Sequence, residues 1–94
     1  MEILCVTRHK GLYEYLVTEG LIPEGTPCLP RADENDVAGK HVYGKLPYRL
    51  AALCELYTEL DLRIPFSLRG QELKAQDIHF YLIKPRTFIV KEVL

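Results

Sequence analysis

The change from strand to helix across residues 41–52, HVYGKLPYRLAA, constrains this 94-residue chain more than any other stretch. Val42 and Tyr43 make a short apolar strand, Gly44-Lys45-Leu46 a loop, and Pro47 opens a helix. Proline suits a first helical position, because its fixed φ fits and its missing N–H would be unbonded there anyway. Leu50, Leu53, Cys54 and Tyr57 follow at i, i+3, i+4 and i+7, which predicts a helix reaching to Tyr57 with one buried face. Gly44 lets the backbone pass close to a ligand, and the N–H groups near Gly44 and Leu46 are free to point at it. Lys45 and Arg49 stand at the start of this helix, whereas Glu55, Glu59 and Asp61 stand at or just past its end. The macrodipole favours the reverse by roughly 0.3–1 kcal/mol per charge. Either these are solvated side chains, or an anion sits among the cations.

The pattern repeats. Glu2–Thr7 (EILCVT) is an apolar run of strand length, nearly all hydrophobic and therefore expected at the centre of a sheet. It ends in Thr7-Arg8-His9-Lys10-Gly11, and a helix follows with Leu12, Tyr15 and Leu16 on one face and Gly20 as its terminator. Again cations stand at the helix start, with Glu14 and Glu19 further along. Pro23, Pro27 and Pro30 preclude a long helix in the next segment, where Thr26–Leu29 reads as a short edge strand. Asp33-Glu34-Asn35-Asp36 reads as a solvated acidic loop and Gly39 as a turn. Beyond the central helix, Asp61–Phe66 reads as a third core strand, Ser67–Glu72 as a loop, Leu73–Leu82 as a helix and Thr87–Val93 as a last strand. His79–Ile83 has an alternative, a hairpin with Thr87–Val90 across Lys84-Pro85-Arg86.

Alternation of this kind predicts an α/β fold, a mostly parallel sheet flanked by helices in one domain spanning residues 1–94. Such sheets bind ligands beyond the carboxyl ends of their strands. The loops TRHKG, GKLP and SLRGQE each carry a cation beside a glycine and lead into a helix. Arg8, His9, Lys45 and Arg69 are therefore expected on one rim, where they would suit a phosphate-bearing ligand. None of the loops matches the P-loop or the GxGxxG fingerprint, which disfavours a nucleoside triphosphatase or a Rossmann dehydrogenase. Formal net charge is −1, which argues against bulk binding to duplex nucleic acid or anionic lipid. An anion site must then arise from local segregation of charge. With no apolar run near the ~20 residues of a membrane span and no leader pattern, a cytoplasmic location without membrane association is expected. Cys5, Cys28 and Cys54 form no CxxC, and His9, His41 and His79 are scattered, so no metal or other cofactor is expected.

The runs VTRHKG, YGKLPYRLAA and RGQEL resemble, in order and spacing, the small CRISPR-associated proteins of the sixteenth Csx family. The likeness covers nearly the whole chain. It implies a compact Rossmann-like domain related to the sensors of cyclic oligoadenylates (CARF-like), acting in type III CRISPR defence. It further implies ring-nuclease activity, the opening of cyclic tetra-adenylate that switches the antiviral response off. The chain departs from the family at Lys10, Lys45 and Lys74, where proline, a small polar residue and a helix-capping hydroxyl are common.

A ring nuclease without metal would use the ribose 2′-hydroxyl as nucleophile, and the protein would align it and stabilise charge on the phosphorane. Arg8 and Arg69 are expected to clamp phosphates, since the guanidinium fork bonds two phosphate oxygens. His9 is the acid–base candidate, against a reading as a helix-start histidine bonded to a carbonyl. Lys45 stabilises the transition state or is a plain surface lysine. Tyr48 or Tyr43 would stack on adenine or belong to core or interface, and Glu72 would pair with Arg69 or cap its helix. The expected ligand-contacting set is Thr7, Gly44, Leu46, Pro47, Tyr48, Gly70 and Gln71, with Arg8, His9, Lys45 and Arg69 catalytic. The two-fold symmetry open to cyclic tetra-adenylate suggests a homodimer around one ring. A non-catalytic binder of the ring, and a module acting on a larger effector, are the competing expectations.

Overall fold

Ile3–Val6 forms β1, an interior strand of the single sheet in the computed structural model, which describes residues 1–94. The remaining strands are β2 (Cys28–Leu29), β3 (His41–Gly44), β4 (Leu56–Glu59) and β5 (Arg86–Phe88). They make one sheet in the order β2-β1-β3-β4-β5, the first four parallel and β5 antiparallel to β4. The mostly parallel, Rossmann-like α/β fold expected from the sequence is the one observed.

Side chains alternate across β1 and fill two cores. Leu4 and Val6 pack with Val42, Tyr57 and the helix residues Leu50 and Ala51 on one face. Cys5 packs on the other with Leu12, Leu16, Ile22, Leu60, Leu73 and Ile78. Leu12 and Leu16 belong to α1 (Lys10–Thr18), whose chain reverses at Gly20 with φ of 72°. The short edge strand and the turn at Gly39 also stand where the proline and glycine pattern put them.

Five expectations about the elements need correction. The acidic segment is no plain loop but a one-turn helix, α2 (Glu34–Val37). Asp36 N–H donates to Asp33 Oδ1 at 3.0 Å and Asp33 N–H to Asp36 Oδ2 at 2.8 Å, a reciprocal cap. The central helix, α3, covers only Tyr48–Ala51, and Tyr57 lies in β4. Leu50, Cys54 and Tyr57 do share one core, but through a helix, a turn and a strand facing the same side, so the helical spacing misled. Glu55, Glu59 and Asp61 therefore do not stand at a helix end.

Asp61–Phe66 is not a strand. After Leu60 N–H donates to Gly44 O at 2.8 Å, the chain leaves the sheet and Pro65 leads into a 3-10 turn at Phe66–Leu68. Its segment 61–63 pairs instead with residues 81–83, Arg63 N–H to Tyr81 O at 2.8 Å and Ile83 N–H to Asp61 O at 2.9 Å. Neither the long helix nor the hairpin holds for 73–83: one turn, α4 (Ala75–Ile78), precedes this bridge. The last strand ends at Phe88 rather than Val93.

Gly44 serves packing between strands, not approach to a ligand. A Cβ there would lie 2.8 Å from the Val6 carbonyl oxygen, which is backbone and cannot give way. Gly11 likewise lets the Leu73–Lys74 backbone press on the start of α1. Thr58, polar yet buried, is held by a chain of hydroxyl contacts. His41 Nε2 and Thr87 Oγ1 each lie 2.7 Å from its Oγ1, and the His41 ring stacks on Tyr43 at 4.5 Å. Burial pushes the His41 pKa below its ordinary 6.5.

Two outcomes follow for stability. Gly44→Ala is expected to destabilise the fold by about 1–3 kcal/mol through overpacking, read as a lower urea midpoint at unchanged slope. Because His41 binds a proton more readily unfolded than folded, stability should be intact above pH 6.5 and decline as pH falls through 6.5 toward the lower folded value. His41→Gln should flatten that decline between pH 7.5 and 5.5 in melting temperature, and an equally steep decline would assign it to another group.

Candidate anion-binding cleft

In an order β2-β1-β3, the chain leaves β1 in one direction and returns on its other side, so a crevice opens past the carboxyl ends of β1 and β3. Past those ends, Arg8–Lys10 and Lys45 face the crevice. The segment after β4 supplies Asp61–Pro65, and the loop before α4 supplies Arg69–Leu73. Together they line a cleft of about 900 Å³, within the ~300–1,000 Å³ common for ligand sites.

Arg8, His9, Lys45 and Arg69, distant in sequence, share this cleft with Gly70 and Gln71. So do Lys10 and two residues that sequence reasoning did not place there, Asp61 and Arg63. Five lysines and arginines (Arg8, Lys10, Lys45, Arg63, Arg69) thus face two carboxylates, Asp61 and Glu72. On a chain of net charge −1 this is the local segregation an anion site requires. Asp61 was hidden because its neighbourhood reads as a strand. Its signal was the alternation Asp61, Arg63 beyond Leu60, where an apolar strand should have continued.

Three ion pairs occur in the chain, and two meet at Asp61. Lys45 Nζ donates to Oδ1 at 3.0 Å and Arg63 Nε to Oδ2 at 3.1 Å. Those hydrogen bonds, Lys45 first, hold the Asp61 carboxyl below the usual carboxylate range. Arg8, Lys10 and Arg69 have no carboxylate partner, so their charge is available to a ligand.

His9 is the N-cap residue of α1. Its N–H donates to Thr7 Oγ1 at 3.1 Å, its carbonyl accepts from Leu12 and Tyr13, and its exposed ring makes no hydrogen bond. The carbonyl-bonded ring considered above is therefore not observed. Arg8, His9 and Lys10 also form a ridge, beyond which a second depression of about 580 Å³ is lined by Thr7, Tyr13, Cys28 and Pro30.

The rest of the expected ligand set lies elsewhere. Thr7 borders the second depression and not the cleft. Gly44 is packed on β1 and so is closed to a ligand, and Leu46 N–H is committed to the buried Tyr57 hydroxyl at 2.9 Å. Pro47 and Tyr48 open α3 outside the lining. Tyr48 is exposed there, and Tyr43 is stacked on His41, so neither aromatic meets the cleft. Glu72 lines the cleft without pairing to Arg69, and the residue capping α4 is Lys74, whose N–H donates to Asp77 Oδ2 at 3.2 Å. Cys5 and Cys54 are buried. Burial, with Cys28 beside it, pushes the Cys5 thiol up to about 12, which leaves no thiolate nucleophile there.

No three histidine, cysteine or carboxylate side chains converge on one point as metal ligands, and no helix is long and apolar enough to cross a membrane. Comparison with curated proteins and with solved structures finds no match. A family model described as "Putative CRISPR-associated protein (Cas_VVA1548)" matches residues 4–91, from β1 through the segment beyond β5. That span includes every residue of the cleft, and the chain belongs to this CRISPR-associated family.

Proposed function

We propose that this protein is a ring nuclease of type III CRISPR defence, binding cyclic tetra-adenylate and opening it without a metal ion, so that the antiviral signal ends. The observation that carries this reading is the meeting of Arg8, His9, Lys45 and Arg69 in one cation-rich cleft of a CRISPR-associated chain. A ring of phosphodiesters is polyanionic, and the unpaired Arg8, Lys10 and Arg69 suit its phosphates.

In the proposed reaction the ribose 2′-oxygen attacks the adjacent phosphorus. The O2′–P bond forms and the P–O5′ bond breaks, leaving a 2′,3′-cyclic phosphate and a 5′-hydroxyl. His9, exposed at the cleft wall, takes the 2′-hydroxyl proton or returns one to the 5′-oxygen. Arg69, Arg8 and Lys45 stabilise the charge that gathers on the phosphorane. A second copy of the chain would surround the ring with the same residues twice, which makes a homodimer part of the proposal. One observation favours the non-catalytic alternative, a sponge or sensor for the ring. The His9 ring has no hydrogen-bond partner to fix its tautomer, as an efficient proton carrier usually has.

Incubation of the purified protein with cyclic tetra-adenylate in EDTA, with products followed by mass spectrometry, is the test. Linear adenylates ending in 2′,3′-cyclic phosphate are expected, with kcat lowered roughly 10²-fold or more in His9→Ala and Arg69→Ala. Intact ring that co-elutes with the protein would establish the binder. Intact ring without binding would remove both readings and leave action on a larger effector.

A further inference from the structure

We propose that Asp61 is a positioning residue that holds Lys45 and Arg63 as one spaced pair of cations for a phosphodiester, an inference that rests on the ring-nuclease reading of the cleft. The two carboxylate oxygens are divided between the two partners, Oδ1 to Lys45 and Oδ2 to Arg63. The three residues are also layered. The Asp61 side chain keeps 19 % of its surface exposed, whereas Lys45 keeps 66 % and Arg63 72 %. The anion is thus the floor and the cations are the walls.

The floor is itself fixed. Asp61 O accepts from Ile83 N–H at 2.9 Å and Arg63 N–H donates to Tyr81 O at 2.8 Å, so this segment is pinned on either side of Leu62. Leu60, just before it, is tied to β3 through Gly44 O. Lys45 comes from the other side of that junction, the loop after β3. Asp61 therefore joins two loops that reach the cleft from adjacent strands.

Both cations keep donors in reserve. Arg63 commits only Nε, which leaves the four N–H bonds of its terminal nitrogens, and Lys45 commits one of three ammonium hydrogens. Without the carboxylate, two long side chains of like charge would separate and sample many rotamers. With it, they reach the ligand already spaced, which is how orientation contributes to rate.

Neutralisation and positioning predict opposite signs. If Asp61 merely lowers the cleft's charge, Asp61→Asn makes the cleft more positive and should tighten binding of the ring without slowing its cleavage. If Asp61 positions the pair, D61N should lower kcat on the order of 10²-fold while KM stays level or falls, and Asp61→Glu should recover part of the loss. Arg63→Gln, which leaves the carboxylate in place, should slow cleavage by a comparable factor. D61N or R63Q cleaving at the wild-type rate would overturn the proposal.

Acetylation of Lys45 by acetic anhydride, followed by mass spectrometry, gives a readout independent of cleavage. Its rate should rise several-fold in D61N and in wild type at 1 M salt (where ion pairs are screened), and an unchanged rate in both overturns the pairing. Wild-type protein that neither binds nor opens the ring would instead defeat the nuclease reading, with the acetylation rates still deciding whether Asp61 holds Lys45.

Discussion

The ladder between β1 and β3 is the constraint on which the rest of the structure depends. Its register, from Ile3 opposite His41 to Val6 opposite Gly44, brings two strands far apart in sequence to the same level at their carboxyl ends. Their buried side chains fix that register, because a slip of one residue would send Leu4 and Val6 to the wrong core. Gly44 then allows the last rung to close against the Val6 carbonyl. The loops leaving those rungs carry Arg8, His9, Lys10 and Lys45, so the position of the cations is a by-product of the hydrophobic register.

Charge in the cleft works against the fold's own convenience. Several cations around one depression repel, and only Asp61 draws two of them together. Exposure keeps that repulsion modest, since charges near water interact weakly. The two cores, which lie beneath the loops, carry the stability. The division leaves rim residues free to be chosen for chemistry, at little expense to the sheet that holds them.

The apolar strands β1 and β3 were legible in the sequence, and so was the convergence of Arg8, His9, Lys45 and Arg69. β1 announces itself as a nearly continuous hydrophobic run, and α1 has a face of two well-spaced leucines and a glycine stop. What misled was brevity. α3 and α4 are one turn each, too short for periodicity to separate helix from turn, and the Leu50–Tyr57 spacing fits helix and helix–turn–strand alike. The same error hid β4 and moved the expected strand on to Asp61–Phe66, which concealed Asp61 as a cleft residue. The ligand set near Gly44 failed for a different reason: a glycine after a strand permits close approach, but sequence does not say to what. Here the neighbour is another strand.

Gly11 has one more consequence, and it concerns the order in which the protein is made. The start of α1 rests on the backbone of Leu73 and Lys74, separated from it by most of the chain. Arg69–Glu72, the far wall of the cleft, hangs from that distant contact. A ribosome that has released β1 to β3 and the loop after β3 has released Arg8, Lys10 and Lys45 but not Arg63, Arg69 or the residues that enclose them. Contacts of such separation are costly to close and tend to form late. Completion of the cleft therefore waits on the segment that runs through Lys74.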